Sequence, residues 1–278
     1  MPLEGGFDAV LFDLDGVLTT TRRLHIASWK QTFDEFLEQW DAQHGTSTPR
    51  FYAAEDYPRH LDGKPRQDGV RDFLRSRGIE LSPGDPTSPP DEVSVWGIGN
   101  RKQELVDAEL AAHGVEAFPG SVAWVRELRE EGVRTGVVSS SRNTSQILDY
   151  AGIGGLFDVQ IDGDTAEELV LAGKPAPDTF LEAARRLRVP PDRAVVVEDS
   201  LAGVAAGRAG GFGMVIGVDR DDQADDLRAG GADIVVQDLA ELTRPDRTHL
   251  AGPREHRLAA AAFRLLKADR EYPIERFR

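Results

Sequence analysis

Two aspartates, Asp13 and Asp15, flank Leu14 and precede Gly16, directly after the apolar run Ala9-Val10-Leu11-Phe12. An ionised carboxylate is a nucleophile without help from a base, because it is already charged at neutral pH. A second carboxylate beside it can handle the proton of the attacking or leaving oxygen. Standing alone, the pattern D-x-D-G also reads as an acidic turn after a strand. A calcium loop does not fit: Val17 stands where the next oxygen ligand is required, and no Glu closes the loop at the needed spacing.

Three more groups follow apolar runs or precede helical patterns. Ser139-Ser140-Ser141-Arg142-Asn143 comes after Thr135 to Val138 and before a helical pattern. Hydroxyls and backbone N–H groups at a helix start bind anions; the same residues also serve as simple helix caps. Lys174 lies in Gly173-Lys174-Pro175, ahead of another helical pattern. A single lysine is most often solvated. Glu198 and Asp199 follow Ala194 to Val197. Adjacent carboxylates repel unless a cation lies between them, and Mg2+ is the hard cation suited to phosphate chemistry. Taken together these groups supply a nucleophile, an anion clamp, a cation and a metal site. Phosphoryl transfer needs that set, because it runs on positioning and charge neutralisation.

The elements that must carry these groups are legible. Short apolar runs at Ala9 to Phe12, Thr135 to Val138, Ala194 to Val197, Met214 to Val218 and Ile234 to Val236 read as buried strands, with Asp158 to Ile161 a weaker one. Helical patterns lie between them at Ser121 to Glu131, Ser145 to Tyr150, Pro177 to Arg188 and Leu201 to Ala209. Alternation of this kind predicts an α/β fold with a parallel sheet. The strand ends then face the crevice where such sheets bind ligands. Residues 21–116 hold no clear strand. Helices are predicted there at Arg22 to Gln43, Phe51 to Leu61, Asp68 to Arg77 and Asn100 to Ala112, with a proline-rich loop from Ser82 to Pro90. The predicted layout is a first core segment over 1–20, an inserted all-helical cap over 21–116, the rest of the core over 117–244, and a C-terminal helix and tail over 245–278.

A net charge of −15 over 278 residues disfavours nucleic acid and anionic membrane as partners. The absence of cysteine excludes thiolate catalysis and thiolate metal sites. No apolar stretch is long enough to span a bilayer, and the first residues lack signal-peptide features. A soluble, cytoplasmic monomer acting on a small molecule is expected.

The four motifs, Asp13-Leu14-Asp15-Gly16, Ser139, Lys174 and Glu198-Asp199, in that order, resemble those of the haloacid dehalogenase-like phosphotransferase superfamily. The resemblance covers residues 7–20 and 117–240. It implies a Rossmann-like parallel sheet, an aspartyl-phosphate on Asp13, and Asp15 as acid/base. It further implies Mg2+ held by Asp13, the backbone carbonyl of Asp15, and Asp199, with Glu198 a ligand or its support. Ser139 and Lys174 would hold the transferring phosphate. The dehalogenases of the superfamily lack the second aspartate, so Asp15 argues against that chemistry. Within the superfamily the chain is most similar to the β-phosphoglucomutases. Thr21, His25 and Trp29 match their pattern after the first motif, with His25 coupling substrate binding to placement of Asp15. Arg66 matches the cap arginine that grips the non-transferring phosphate, and Lys102 a cap lysine near the sugar. Ser141, Arg142 and Asn143 match core residues facing the substrate. Arg142 stands where lysine is typical, which changes geometry but not charge. The loop Glu80 to Val95 and the tail depart from that pattern. The resemblance implies conversion of β-D-glucose 1-phosphate to glucose 6-phosphate through a bisphosphate. The alternatives are a phosphatase for a small sugar phosphate or phosphoglycolate, and an inactive sugar-phosphate binder.

Overall fold

The computed structural model describes residues 6–243. Six parallel strands form one sheet in the order β3-β2-β1-β4-β5-β6. They are β1 (Ala9–Phe12), β2 (Arg134–Val138), β3 (Val159–Ile161), β4 (Ala194–Glu198), β5 (Met214–Val218) and β6 (Ile234–Val236). Alternate residues of the central strands bury against opposite faces. Val10, Phe12, Val195 and Val197 join one apolar cluster, while Ala9, Leu11 and Val196 join the other. Burial on both faces explains why these strands read as continuous apolar runs. On the first face pack α5 (Pro119–Glu130) and α6 (Thr144–Tyr150), through Trp124, Val125, Leu128, Ile147 and Leu148. On the second pack α8 (Asp178–Leu187) and α9 (Leu201–Ala209). The spacing of Phe180, Ala183, Ala184 and Leu187 puts one stripe of α8 on the sheet.

Strand β1 lies between β2 and β4, which the chain reaches later on its two sides. The order therefore reverses at β1, and its carboxyl end opens the crevice where ligands bind. Asp13 follows β1, Ser139 follows β2, and Glu198 and Asp199 end or follow β4. Two helices escape the sequence pattern, α7 (Gly163–Glu168) and α10 (Ala224–Gly230). Each is under two turns long, too short to show a period.

The helical segment between β1 and α5 is a cap with its own core. It comprises α1 (Arg22–His44), α2 (Ala53–Asp56), α3 (Arg66–Ser76) and α4 (Val95–His113). Trp29, Phe33 and Leu37 form the inner stripe of α1, with Phe33 stacked on Trp29 and 3.9 Å from the Phe73 ring centroid. Full burial of Phe33 contributes roughly 1.5–3 kcal/mol. The helix predicted over Phe51 to Leu61 is a short α-helix running into a π-turn, Tyr57–Leu61. The predicted start of α4 at Asn100 is late. Ser94 caps the helix by accepting from Gly97 N–H, and Gly97 and Gly99 had masked its first turn. The two chain crossings between cap and core run side by side: Thr20 N–H donates to Glu116 and Phe118 N–H to Leu18. The predicted C-terminal helix and tail lie outside the described residues. No described helix is long and apolar enough to cross a membrane.

Candidate active site

Asp13 is buried at the mouth of the crevice, and Lys174 reaches it from the loop before α8. Lys174 Nζ lies 2.5 Å from Asp13 Oδ1, 2.5 Å from Glu198 Oε1 and 3.1 Å from the Val138 carbonyl. The ammonium group donates to Asp13 Oδ1 and the Val138 carbonyl, and pairs by charge with Glu198. The two carboxylates hold the lysine firmly protonated despite its burial. Burial pushes the Asp13 carboxyl up, Lys174 pulls it down, and Glu198 and Asp15 push it up again, so that it rests well above the usual range.

Asp13, Glu198 and Asp199 each offer a carboxylate oxygen within 4.8 Å of the others. Burial, then Asp62 and Asp13, push Asp199 up as well. Its Oδ2 is buried and makes no hydrogen bond. Gly16 makes room for that oxygen: a Cβ there would stand 1.9 Å away, and φ is +86°. Four buried carboxylates, Asp13, Glu198, Asp199 and Asp62, share two buried cations, Lys174 and Arg22. One divalent cation fills that deficit, and an all-oxygen donor set suits Mg2+. The residues present fit the ion.

Asp15 is tied to the cap. Its Oδ1 accepts from Thr21 Oγ1 and lies 3.1 Å from His25 Nε2, while Lys102 Nζ lies 2.7 Å from His25 Nδ1. One tautomer satisfies both contacts: the lysine donates to Nδ1, and the Nε2 proton donates to Asp15. Burial opposes ionisation of Asp15, but His25, then Thr21 and Lys102, hold it at about 2. Burial and then Lys102 push His25 down against the pull of Asp15. Burial and Arg66 push Lys102 down to about 7, against Asp15 and Asp107.

That depression has a testable consequence. An unfolded lysine keeps its proton to about 10.5. Between about 7 and about 10.5 the unfolded chain binds a proton that folded Lys102 has released. Raising pH through that window therefore favours the folded state. Below it both states are protonated, and the penalty of the buried charge is constant. Urea titrations of the wild type and Lys102→Met at a series of pH values should show the stability of the wild type rising relative to the variant from pH 7 to 10. A constant difference would mean that Lys102 is not strained.

One cavity between cap and core is lined by Asp13, Asp15, Asp199, Ser141, His25, Trp29, Arg66 and Lys102 among others. Arg66 there donates to Gln103 Oε1 at 2.5 Å, and burial with the charge of Arg142 lowers its pKa to about 10. The remaining candidates sit differently. Thr21 is buried beneath the cavity and serves Asp15. Ser139 is buried, and its Oγ accepts from Ser141 N–H. Arg142 and Asn143, expected to face the substrate, do not line this cavity. Arg142 is drawn outward by Glu167 and Asp164 and lies over Trp96. Asn143 donates across to Asp107 of the cap at 2.9 Å.

Other residues close the site without having been singled out in the sequence. Ser140 Oγ donates to the Gly63 carbonyl at 2.8 Å. Gly63, at φ +71°, approaches Ser200 so closely that a Cβ would stand 2.4 Å from its Oγ. Asp62 pairs with Arg22 at 2.9 Å. Gly63, held by Ser140 and seated on Ser200, clamps the cap loop onto the core, and the cavity is roofed.

A strand-end aspartate, a buried lysine, an acidic cluster and a helical roof thus meet at one crevice. A family model for haloacid dehalogenase-like hydrolases matches residues 7–211, and the chain belongs to that family of enzymes. It is 47% identical to a β-phosphoglucomutase of Mycobacterium bovis, over 84% of this chain and 90% of that one. It superposes with a TM-score of 0.63 on a CbbY variant of Rhodobacter sphaeroides solved with xylulose-(1,5)bisphosphate, at 29% identity, covering 85% of this chain and 96% of that one. It is also 40% identical to a trehalose-phosphate phosphatase of Mycobacterium leprae, over 44% of this chain and 28% of that protein.

Proposed function

We propose that the chain is a Mg2+-dependent phosphomutase that converts β-D-glucose 1-phosphate to glucose 6-phosphate through a bisphosphate. The carrying observation is that core and cap line one cavity together with groups of different chemistry. Asp13, with Lys174 and the acidic cluster behind it, forms the transferring site. Arg66, in the cap, lines the same cavity and would hold a second phosphate, while Lys102, bound to His25 beside Asp15, would face the sugar. The similarity to β-phosphoglucomutase supports the same reading.

In this mechanism a carboxylate oxygen of Asp13 attacks phosphorus as the bond to the sugar oxygen breaks. Asp15, loaded with a proton taken from a sugar hydroxyl in the preceding transfer out of the phosphoenzyme, gives that proton to the departing oxygen. In the return step a sugar hydroxyl loses its proton to ionised Asp15 as its oxygen takes the phosphoryl group from Asp13. Held near 2 in the free protein, Asp15 is poised as the base of that return step. Lys174 neutralises charge beside Asp13. Asp13, Asp199 and the Asp15 carbonyl would hold Mg2+, with Glu198 in support, and the ion would supply charge neutralisation at the phosphoryl oxygens. The cap excludes water while the bisphosphate turns over within the cavity.

A product assay with β-D-glucose 1-phosphate and a trace of the bisphosphate tests the reading. Glucose 6-phosphate is the expected main product. Inorganic phosphate as main product would install the phosphatase reading, which the likeness to trehalose-phosphate phosphatase favours. Arg66 sharpens the choice. A charge-assisted hydrogen bond to the idle phosphate is worth roughly 1.5–3 kcal/mol, so Arg66→Ala should slow isomerisation about 10- to 100-fold. Hydrolysis of acetyl phosphate, which has no second phosphate, should be unchanged. An equal loss in both assays would count against Arg66 as the holder of the second phosphate.

A further inference from the structure

Arg22 opens α1, the first helix of the cap, and its side chain is buried. Its guanidinium Nη2 lies 2.9 Å from Asp62 of the cap loop, and its Nε 3.2 Å from Asp199 Oδ2. Nη1 binds Asp221, in the core loop after β5, and the group lies 4.9 Å from the Tyr57 ring centroid. Three carboxylates from three segments thus meet one planar fork. The contact to Asp199 has the distance of an ion pair but no hydrogen bond, since neither Arg22 Nε nor Asp199 Oδ2 has a partner. The proposed mechanism uses Asp199 and leaves Arg22 without a part.

We propose that Arg22 is a positioning residue that makes closure of the cap over a metal-loaded core conditional on an anion in the cavity. This rests on the reading of Asp13, Glu198 and Asp199 as a Mg2+ site. With the cap closed and no ion bound, Arg22 is the cation nearest the free oxygen of Asp199. A divalent ion arriving at that carboxylate meets the charge of Arg22, and the two oppose each other at short range. Relief comes by moving Arg22 away, which draws its Asp62 contact and the cap loop with it. A phosphate in the cavity, which Asp13 and Asp199 line, places negative charge beside the ion and offsets its push on Arg22, and the cap can close again. Substrate-free, Mg2+-loaded enzyme is therefore open to substrate. Closure, with its exclusion of water, awaits the phosphate.

The chain has no cysteine, so introduced cysteines report cleanly. Arg75→Cys on α3 and Arg185→Cys on α8 replace exposed side chains on cap and core. Dyes on these positions give the cap-to-core distance by energy transfer, and calorimetry gives Mg2+ affinity. In the wild-type background Mg2+ alone should lengthen the distance, and inorganic phosphate added next should restore it. Arg22→Met should bind Mg2+ about tenfold more tightly, because an opposing charge is gone. Its distance should be long from the outset and indifferent to Mg2+. Arg22→Lys guards against a folding defect: it keeps the charge but not the fork. It should bind Mg2+ within about threefold of wild type yet fail to hold the cap closed. No Mg2+ binding by the wild type would overturn both the metal-site reading and this proposal. Mg2+ binding with an Arg22→Met variant that matches the wild type in affinity and distances would overturn the proposal alone.

Discussion

Asp13→Asn should show no turnover with any phosphate substrate and should take up no covalent phosphate. The amide nitrogen has no available lone pair, and the amide oxygen is a poor nucleophile, so the first bond cannot form. The protein should nevertheless fold. Asn keeps the shape of Asp13, Lys174 retains Glu198 at 2.5 Å, and one charge leaves a cluster that holds too many carboxylates. Intact-mass measurement after incubation with acetyl phosphate checks the covalent step, and calorimetric melting checks the fold. A folded variant with near wild-type activity would rule out the aspartyl-phosphate mechanism.

Asp15→Asn should slow isomerisation by about 10²–10⁴-fold, the usual worth of a placed general acid and base. The loss should depend on the leaving group. Acetate departs without a proton, so acetyl phosphate should still phosphorylate Asp13 in this variant. Transfer from the phosphoenzyme to a sugar hydroxyl needs the base and should fail. Mg2+ affinity should change little, because the Asp15 side chain faces Thr21 and His25 and stands outside the acidic cluster. Calorimetry showing that affinity collapse, or equal slowing with acetyl phosphate and sugar phosphate, would contradict the assigned role.

The order of strand-end groups was legible because each stands next to an apolar run or a helix start. Asp13, Ser139 and Glu198-Asp199 sit where a parallel strand must stop, and Lys174 is held beside them by the loop before α8. The two-faced burial of β1 and β4 produced the signal that located them. The cap contacts were less legible. Arg22 meets partners 40, 177 and 199 positions away, and no local pattern announces such contacts. Asp62 acquires its role when the cap loop meets α1, and Ser140 when that loop lands on the core. Arg142 matched a motif position, but Glu167 and Asp164 of α7 draw it aside, and α7 itself was too short to read.

The side-by-side crossings at Thr20–Glu116 and Leu18–Phe118 carry a consequence for how such proteins diversify. The inserted segment leaves and re-enters the sheet at a single doorway, so its ends already meet. A different helical segment with ends equally close could be grafted at that doorway without disturbing any strand pairing. The groups that would break and form the phosphorus bond stay at the strand ends of the core, and those that would choose the sugar travel with the graft. Selectivity is then an exchangeable part, and the parent chemistry can be inherited intact by a lineage that changes its diet.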